Sequence, residues 1–261
     1  LEEKKTPPAG EPAGTEPVGT DLPDIPEEEL HEGPRKWWTR QNVLFVLFFA
    51  LVLLSVAGFY IQRGIVQGYE HRGDRYLDQK DYEKALRYFL KAADHDPKNP
   101  RVIFSVGKAM LALGRGHEAL QAFRSSFRLG GASAELYLYM GFAENRIGRP
   151  DQAERFFENA LKIDRKLFAA HRELGMLRLR ADDPAAAESH LFQALKGYSA
   201  EKDPELYRTL SQVQVRLQLY EKASGTLADI LKADPGDAEA KALLEKVKRA
   251  LEMERLYRRF R

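Results

Sequence analysis

The chain has 261 residues, of which 44% are hydrophobic and 31% charged, an ordinary globular mixture that leaves room for one or two domains. Its 41 basic and 39 acidic side chains leave a formal charge of +2, too balanced to neutralise many phosphates at once, which excludes nucleic acid as the expected partner. There is no cysteine, so disulfides, thiolate nucleophiles and cysteine-ligated zinc or iron-sulfur centres are excluded.

Residues 1–42 hold the prolines Pro7, Pro8, Pro12, Pro17, Pro23, Pro26 and Pro34 and an acidic run at Glu27, Glu28 and Glu29. So little apolar surface cannot offset the entropy of ordering the backbone, and the segment is expected to be a disordered tail. Residues 43–61 read VLFVLFFALVLLSVAGFYI without one charge. At about 1.5 Å per residue this run is roughly as long as the ~30 Å hydrocarbon layer, which predicts one transmembrane helix. Trp37 and Trp38 before it and Tyr60 at its end suit the two headgroup layers. A cleaved signal peptide is the rival reading, but its apolar core would be shorter and nearer the start of the chain. Ala50, Ser55, Ala57 and Gly58 would let two such helices approach without forming a GxxxG spacing, so homo-oligomerisation stays open. Arg35, Lys36 and Arg40 precede the span and Arg63 follows it, a bias that favours a cytoplasmic amino terminus. In a bacterium this would put the remainder in the periplasm; the opposite orientation would make it cytoplasmic.

Beyond residue 64 the sequence repeats itself. Gly73, Gly107, Gly141 and Gly175 are each separated by 34 positions. A second register runs Ala85, Ala119, Ala153, Ala187 and a third Phe89, Phe123, Phe157, Leu191. After a two-residue insertion a fifth copy follows with Ser211, Ala223 and Leu227. Small residues let two helices approach closely while a large ring fills the gap to the next unit, and each unit has an apolar face that only a neighbour can bury.

With Tyr76, Ala92, Pro97, Gly114, Tyr137, Gly148, Ala160, Leu174, Ala194, Tyr207, Leu210 and Pro235 in their matching places, this pattern resembles the tetratricopeptide repeat family. With the span in front, the chain is similar to membrane-anchored bacterial proteins of that family. The resemblance implies an all-α fold: a superhelical solenoid of about five helix-turn-helix repeats (66–99, 100–133, 134–167, 168–203 and 204–236), with a cap helix and basic tail over 237–261. In the cap, Leu243, Leu244, Val247, Leu251 and Leu256 keep helical periodicity while Lys246, Lys248, Arg249, Arg255, Arg258 and Arg259 face outward. A basic amphipathic helix of this kind also suits anionic lipid, though every such array needs a cap.

The resemblance further implies a partner protein or peptide on the concave face lined by the first helix of each repeat. Helical spacing places there the residues three before, one after, and four or five after the register glycine. These are Phe104 and Lys108 in the second repeat, Leu138, Phe142 and Arg146 in the third, Arg172, Met176 and Arg180 in the fourth, and Arg208, Gln212 and Arg216 in the fifth. Glu70 and Asp74 occupy the face in the first. The arginines suit bidentate recognition of carboxylates, although each taken singly also reads as a solvated surface residue. The lysine and asparagine clamp with which relatives grip heat-shock chaperone tails has no counterpart here. The six histidines form no metal-ligand pair and no nucleophile motif, so neither an enzyme nor a cofactor is expected. The function predicted is a non-catalytic, membrane-anchored adaptor for envelope assembly, secretion, pilus biogenesis or quality control. The alternative is a structural subunit that self-associates or belongs to a stable membrane machine.

Overall fold

The computed structural model describes residues 40–259, and within them every regular element is an α-helix. The tail expected over 1–42 lies outside the described residues as far as residue 39. Residues 40–42 are helical and open α1, Arg40–Asp78. The described chain divides between Val56 and Ala57 into two compact units.

The first unit consists of the amino-terminal part of α1. Its large side chains, from Leu44 through Val56, are exposed. An eighteen-residue stretch of α1 has a mean hydropathy of 2.7 with none of it buried, so the helix is long and apolar enough to cross a membrane. Ser55 does not disturb it, because its hydroxyl donates to the Val52 carbonyl at 2.7 Å.

The second unit is a run of antiparallel helix pairs. The end of α1 packs with α2 (Tyr82–His95), followed by α3 (Pro100–Ala112) with α4 (Gly116–Gly130) and α5 (Ala134–Arg146) with α6 (Pro150–Ile163). Then come α7 (Phe168–Arg180) with α8 (Pro184–Leu195), α9 (Pro204–Arg216) with α10 (Tyr220–Ala233), and α11, Ala238–Arg259. Starts are set by caps and prolines: Asn99, Asp183 and Asp203 each cap a helix whose first residue is Pro100, Pro184 or Pro204. Between the helices of a pair the chain turns through one left-handed residue, and here too the period is 34 at first: Lys80, Gly114, Gly148 and Asp182, then Gln218 after the insertion. Only two of these five are glycine, so the turn is imposed by the packing of the pair rather than by local preference.

The three registers form the core. Phe89, Phe123 and Phe157 are fully buried, as are Ala85, Ala119 and Ala153. Each ring lies directly over the glycine of its own repeat: a Cβ added to Gly141 would sit 2.5 Å from Phe157 Cε1. The same ring reaches the following repeat, since Phe157 clusters with Ala170 and Leu174. In α11, Val247 is buried and Leu243, Leu244 and Leu251 pack on α10 residues Leu227 and Ile230. Leu256, expected on that buried stripe, is instead exposed along with Met253 and Tyr257, where α11 has run past its neighbour.

Candidate functional site

The first helices bring their inner-face side chains together most effectively at the start of the array. Gln67, Glu70, His71 and Asp74 of α1, Arg101, Phe104, Ser105 and Lys108 of α3, and Glu135 of α5 line one cleft of about 820 Å³. Phe104 forms its apolar floor, edge-on to Tyr139 with ring centroids 5.2 Å apart. The Lys108 ammonium sits 5.3 Å from the Phe104 ring centroid. Burial pushes the Glu70 carboxyl above its ordinary value, aided by Asp74 and Asp96 and opposed by the Arg101 guanidinium.

The other residues expected on this face are distributed differently. Phe142 is half-buried, its ring edge-on to Phe157 at 5.7 Å, and Met176 packs against the core around Leu191 and Leu210. Leu138 is a correction: only 6% exposed, it lies in the core with Ala153, Ala170 and Leu174 and presents nothing to a ligand. It shares its register with Phe104, but the short apolar side chain folds into the seam toward α7.

Most of the expected arginine set is engaged within the array. Arg208 pairs with Asp237 at 2.6 Å, with Glu205, and with Glu239 at 3.8 Å. Arg216 meets Asp182 at 2.6 Å and Arg172 meets Asp203 at 3.4 Å. Arg180 donates to the Asn145 side-chain oxygen at 3.4 Å. Arg146 and Gln212 are exposed. An acidic ligand would have to compete with carboxylates already in place.

Sequence reasoning missed Gln67, Arg101 and Glu135, all six positions before a register glycine, and Ser105 and His71, two before. Their signal was present, because counting one helical turn further back along the same face reaches the first three. Among the described residues no group of three or more His, Asp or Glu side chains could hold a metal ion.

Comparison with known proteins gives the repeats their class. Family models described as tetratricopeptide repeat match residues 66–99 and 178–247. DnaJ homolog subfamily C member 7 of Homo sapiens is 32% identical over 105 residues, 40% of this chain and 21% of that protein. Protein STIP1 homolog of Dictyostelium discoideum is 30% identical over 129 residues, 48% of this chain and 23% of that one. The matches thus span about a fifth of these relatives' length. Among solved structures, Pseudomonas aeruginosa pilF superposes with a TM-score of 0.62 at 17% identity, covering 75% of this chain and 93% of that one. A tetratricopeptide repeat protein of Thermus thermophilus gives 0.52 at 20% identity, covering 71% and 98%. The chain therefore carries tetratricopeptide repeats in an all-helical solenoid, an architecture that generally mediates protein–protein interaction, and nothing in these likenesses points to an enzyme.

Proposed function

We propose that the chain is a non-catalytic scaffold anchored in a lipid bilayer through residues 43–61, whose repeats hold a partner protein or peptide on their inner face. The observation that carries the anchor is the unbroken run of exposed apolar side chains on α1, including Leu44, Phe45, Leu47, Phe48, Leu51, Leu54, Phe59 and Ile61. A surface of that size and composition is stable only against hydrocarbon or another apolar surface. The charge bias around the span supports a cytoplasmic amino terminus, which in a bacterial inner membrane puts the repeats in the periplasm. That location suits envelope assembly, secretion, pilus biogenesis or quality control.

For the binding half, the support is the cleft around Phe104 and Lys108, where polar groups converge on an apolar floor. Photo-crosslinking from Phe104, Phe142 and Met176 in the membrane-embedded chain tests it. A partner crosslinked at these inner-face positions, and not from outward residues such as Arg155, is the expected result. Equal crosslinking from both faces overturns the groove reading. Protease digestion of spheroplasts tests the orientation: repeats that are degraded lie outside the cytoplasm, and repeats that survive are cytoplasmic.

A further inference from the structure

Resting on the groove reading, we propose that the cleft formed by Glu70, Asp74, Arg101, Phe104, Ser105 and Lys108 takes a peptide segment bearing a lysine or arginine side chain next to an apolar one. This is the opposite polarity to the acidic or carboxyl-terminal ligand that the arginines of the later repeats suggest from sequence.

Three observations carry it. First, Glu70 and Asp74 stand one turn apart on α1, both line the cleft, and neither has an ion-pair or hydrogen-bond partner among the described residues. The arginines at the other end of the array are in contrast paired with Asp203, Asp237 and Asp182. Glu70 is half-buried while Asp74 is exposed, and an unpaired carboxylate partly withdrawn from water gains most from a cation supplied by a ligand.

Second, the cations in the cleft do not cancel these acids. Its lining carries three carboxylates, Glu70, Asp74 and Glu135, against Arg101 and Lys108. Lys108 is drawn toward the Phe104 ring. Arg101 lies near enough to Glu70 to oppose the rise in its pKa, but the rise remains. An acidic ligand would add to an existing excess of negative charge on the α1 wall.

Third, Ser105 is only 9% exposed, lines the cleft, and makes no hydrogen bond with any described residue. A hydroxyl that opens on the cleft in this way is met by water until a ligand group displaces it. Such a hydroxyl can bond a peptide main-chain group, while the Phe104 ring offers the adjacent apolar contact.

The test uses the full chain in detergent micelles and three fluorescent, end-blocked alanine-leucine peptides that differ only in a central lysine, norleucine or glutamate. Fluorescence anisotropy should show the lysine peptide binding at least about tenfold more tightly than the other two. Glu70→Gln combined with Asp74→Asn should reduce the lysine peptide to the norleucine level with the melting temperature unchanged. The inference is overturned if the glutamate peptide binds as tightly as the lysine peptide, or if the double variant binds the lysine peptide undiminished. Failure of the wider groove reading looks different. In that case none of the peptides binds, whereas norleucine or glutamate binding that disappears in Phe104→Ala sinks only the choice of charge.

Discussion

The Nδ1 atoms of His171 and His190 lie 3.1 Å apart, at the two positions where the preceding repeat stacks Tyr137 on Phe156 with ring centroids 6.1 Å apart. An aromatic clasp between the helices of one repeat has here become a hydrogen bond between imidazoles. The other nitrogen of His171, Nε2, is 3.2 Å from the Arg165 carbonyl, which only accepts. Neutral His171 therefore carries its proton on Nε2, so its Nδ1 accepts and His190 Nδ1–H donates.

This pair makes the fourth repeat sensitive to acid. Burial is the main cause holding the His190 pKa below its ordinary 6.5, with His171 and Arg178 acting the same way and Glu158 opposing them. The unfolded chain thus binds the proton more readily than the folded one. The stability contributed is complete above the unfolded value of 6.5 and is lost as pH falls below it toward the depressed folded value. His171→Tyr combined with His190→Phe restores the clasp of the third repeat. Thermal unfolding from about pH 7.5 down to about pH 5.5 should then lose part of its slope relative to the unaltered chain. Identical slopes would show that the pair does not titrate in this range.

The glycine register is a matter of space. Gly141→Ala places a methyl 2.5 Å from Phe157 Cε1, and the ring, itself fully buried, has nowhere to move. The substitution should cost about 1–3 kcal/mol in spite of alanine's better helix propensity. Gly225 lies in α10, and a Cβ there meets nothing within 4 Å. Gly225→Ala should stabilise by about 0.5–1 kcal/mol. Denaturant titration of the two variants gives opposite shifts in midpoint; shifts of the same sign would refute the distinction.

Much of this framework was legible because packing repeats with the sequence. Gly141 beneath Phe157 and Gly107 beneath Phe123 are the same contact, so one period of 34 residues encodes it twice. The site was less legible. Whether an arginine on the inner face is free depends on a partner far along the chain: Asp237 for Arg208, 29 residues away, and Asp182 for Arg216, 34 away. Asp182 falls in the left-handed turn register, and Asp237 caps α11 as Asp203 caps α9. The turn register holds lysine, glycine or glutamine elsewhere, so the repeat does not mark which copy carries the pairing acid. Leu138 and Phe104 share a position, and only the space left by α7 decides that one is buried and the other lines the cleft.

Glu144, three residues after its register glycine, is fully buried where the two preceding repeats place Tyr76 and Met110. Its carboxylate lies 3.5 Å from Arg124 and 3.7 Å from Arg149. With the Gln152 amide turned so that its nitrogen rather than its oxygen faces Glu144, that nitrogen donates to both carboxylate oxygens at 3.2 and 3.1 Å. All three partners reach solvent, so they can rehydrate when the carboxylate is removed. Glu144→Met, which copies the second repeat, should therefore stay within about 1 kcal/mol of the unaltered chain, because it trades a buried charge for apolar packing. Glu144→Ala leaves a cavity as well and should cost about 2–3 kcal/mol. A methionine variant as unstable as the alanine one would mean that the ion pairs themselves hold α5 to α4.

Arg208 separates folding from binding most sharply. Its guanidinium bonds Asp237 at 2.6 Å, and the other oxygen of Asp237 accepts the Ala240 N–H at 2.9 Å, closing the first turn of α11. Asp237 is buried, and the Ala240 N–H followed by Arg208 holds its carboxyl below the usual range. Reversing the charge would set two carboxylates against each other beneath the cap helix. Arg208→Glu should thus destabilise the array by about 3–5 kcal/mol and expose α11, whatever the ligand does. Arg146, exposed and without an ion pair among the described residues, should tolerate Arg146→Glu within about 0.5 kcal/mol. Limited proteolysis at the α10–α11 junction, read beside the melting temperature, distinguishes the two. Any loss of partner capture in Arg208→Glu counts as a binding effect only if α11 remains protected, and the geometry of Asp237 predicts that it will not.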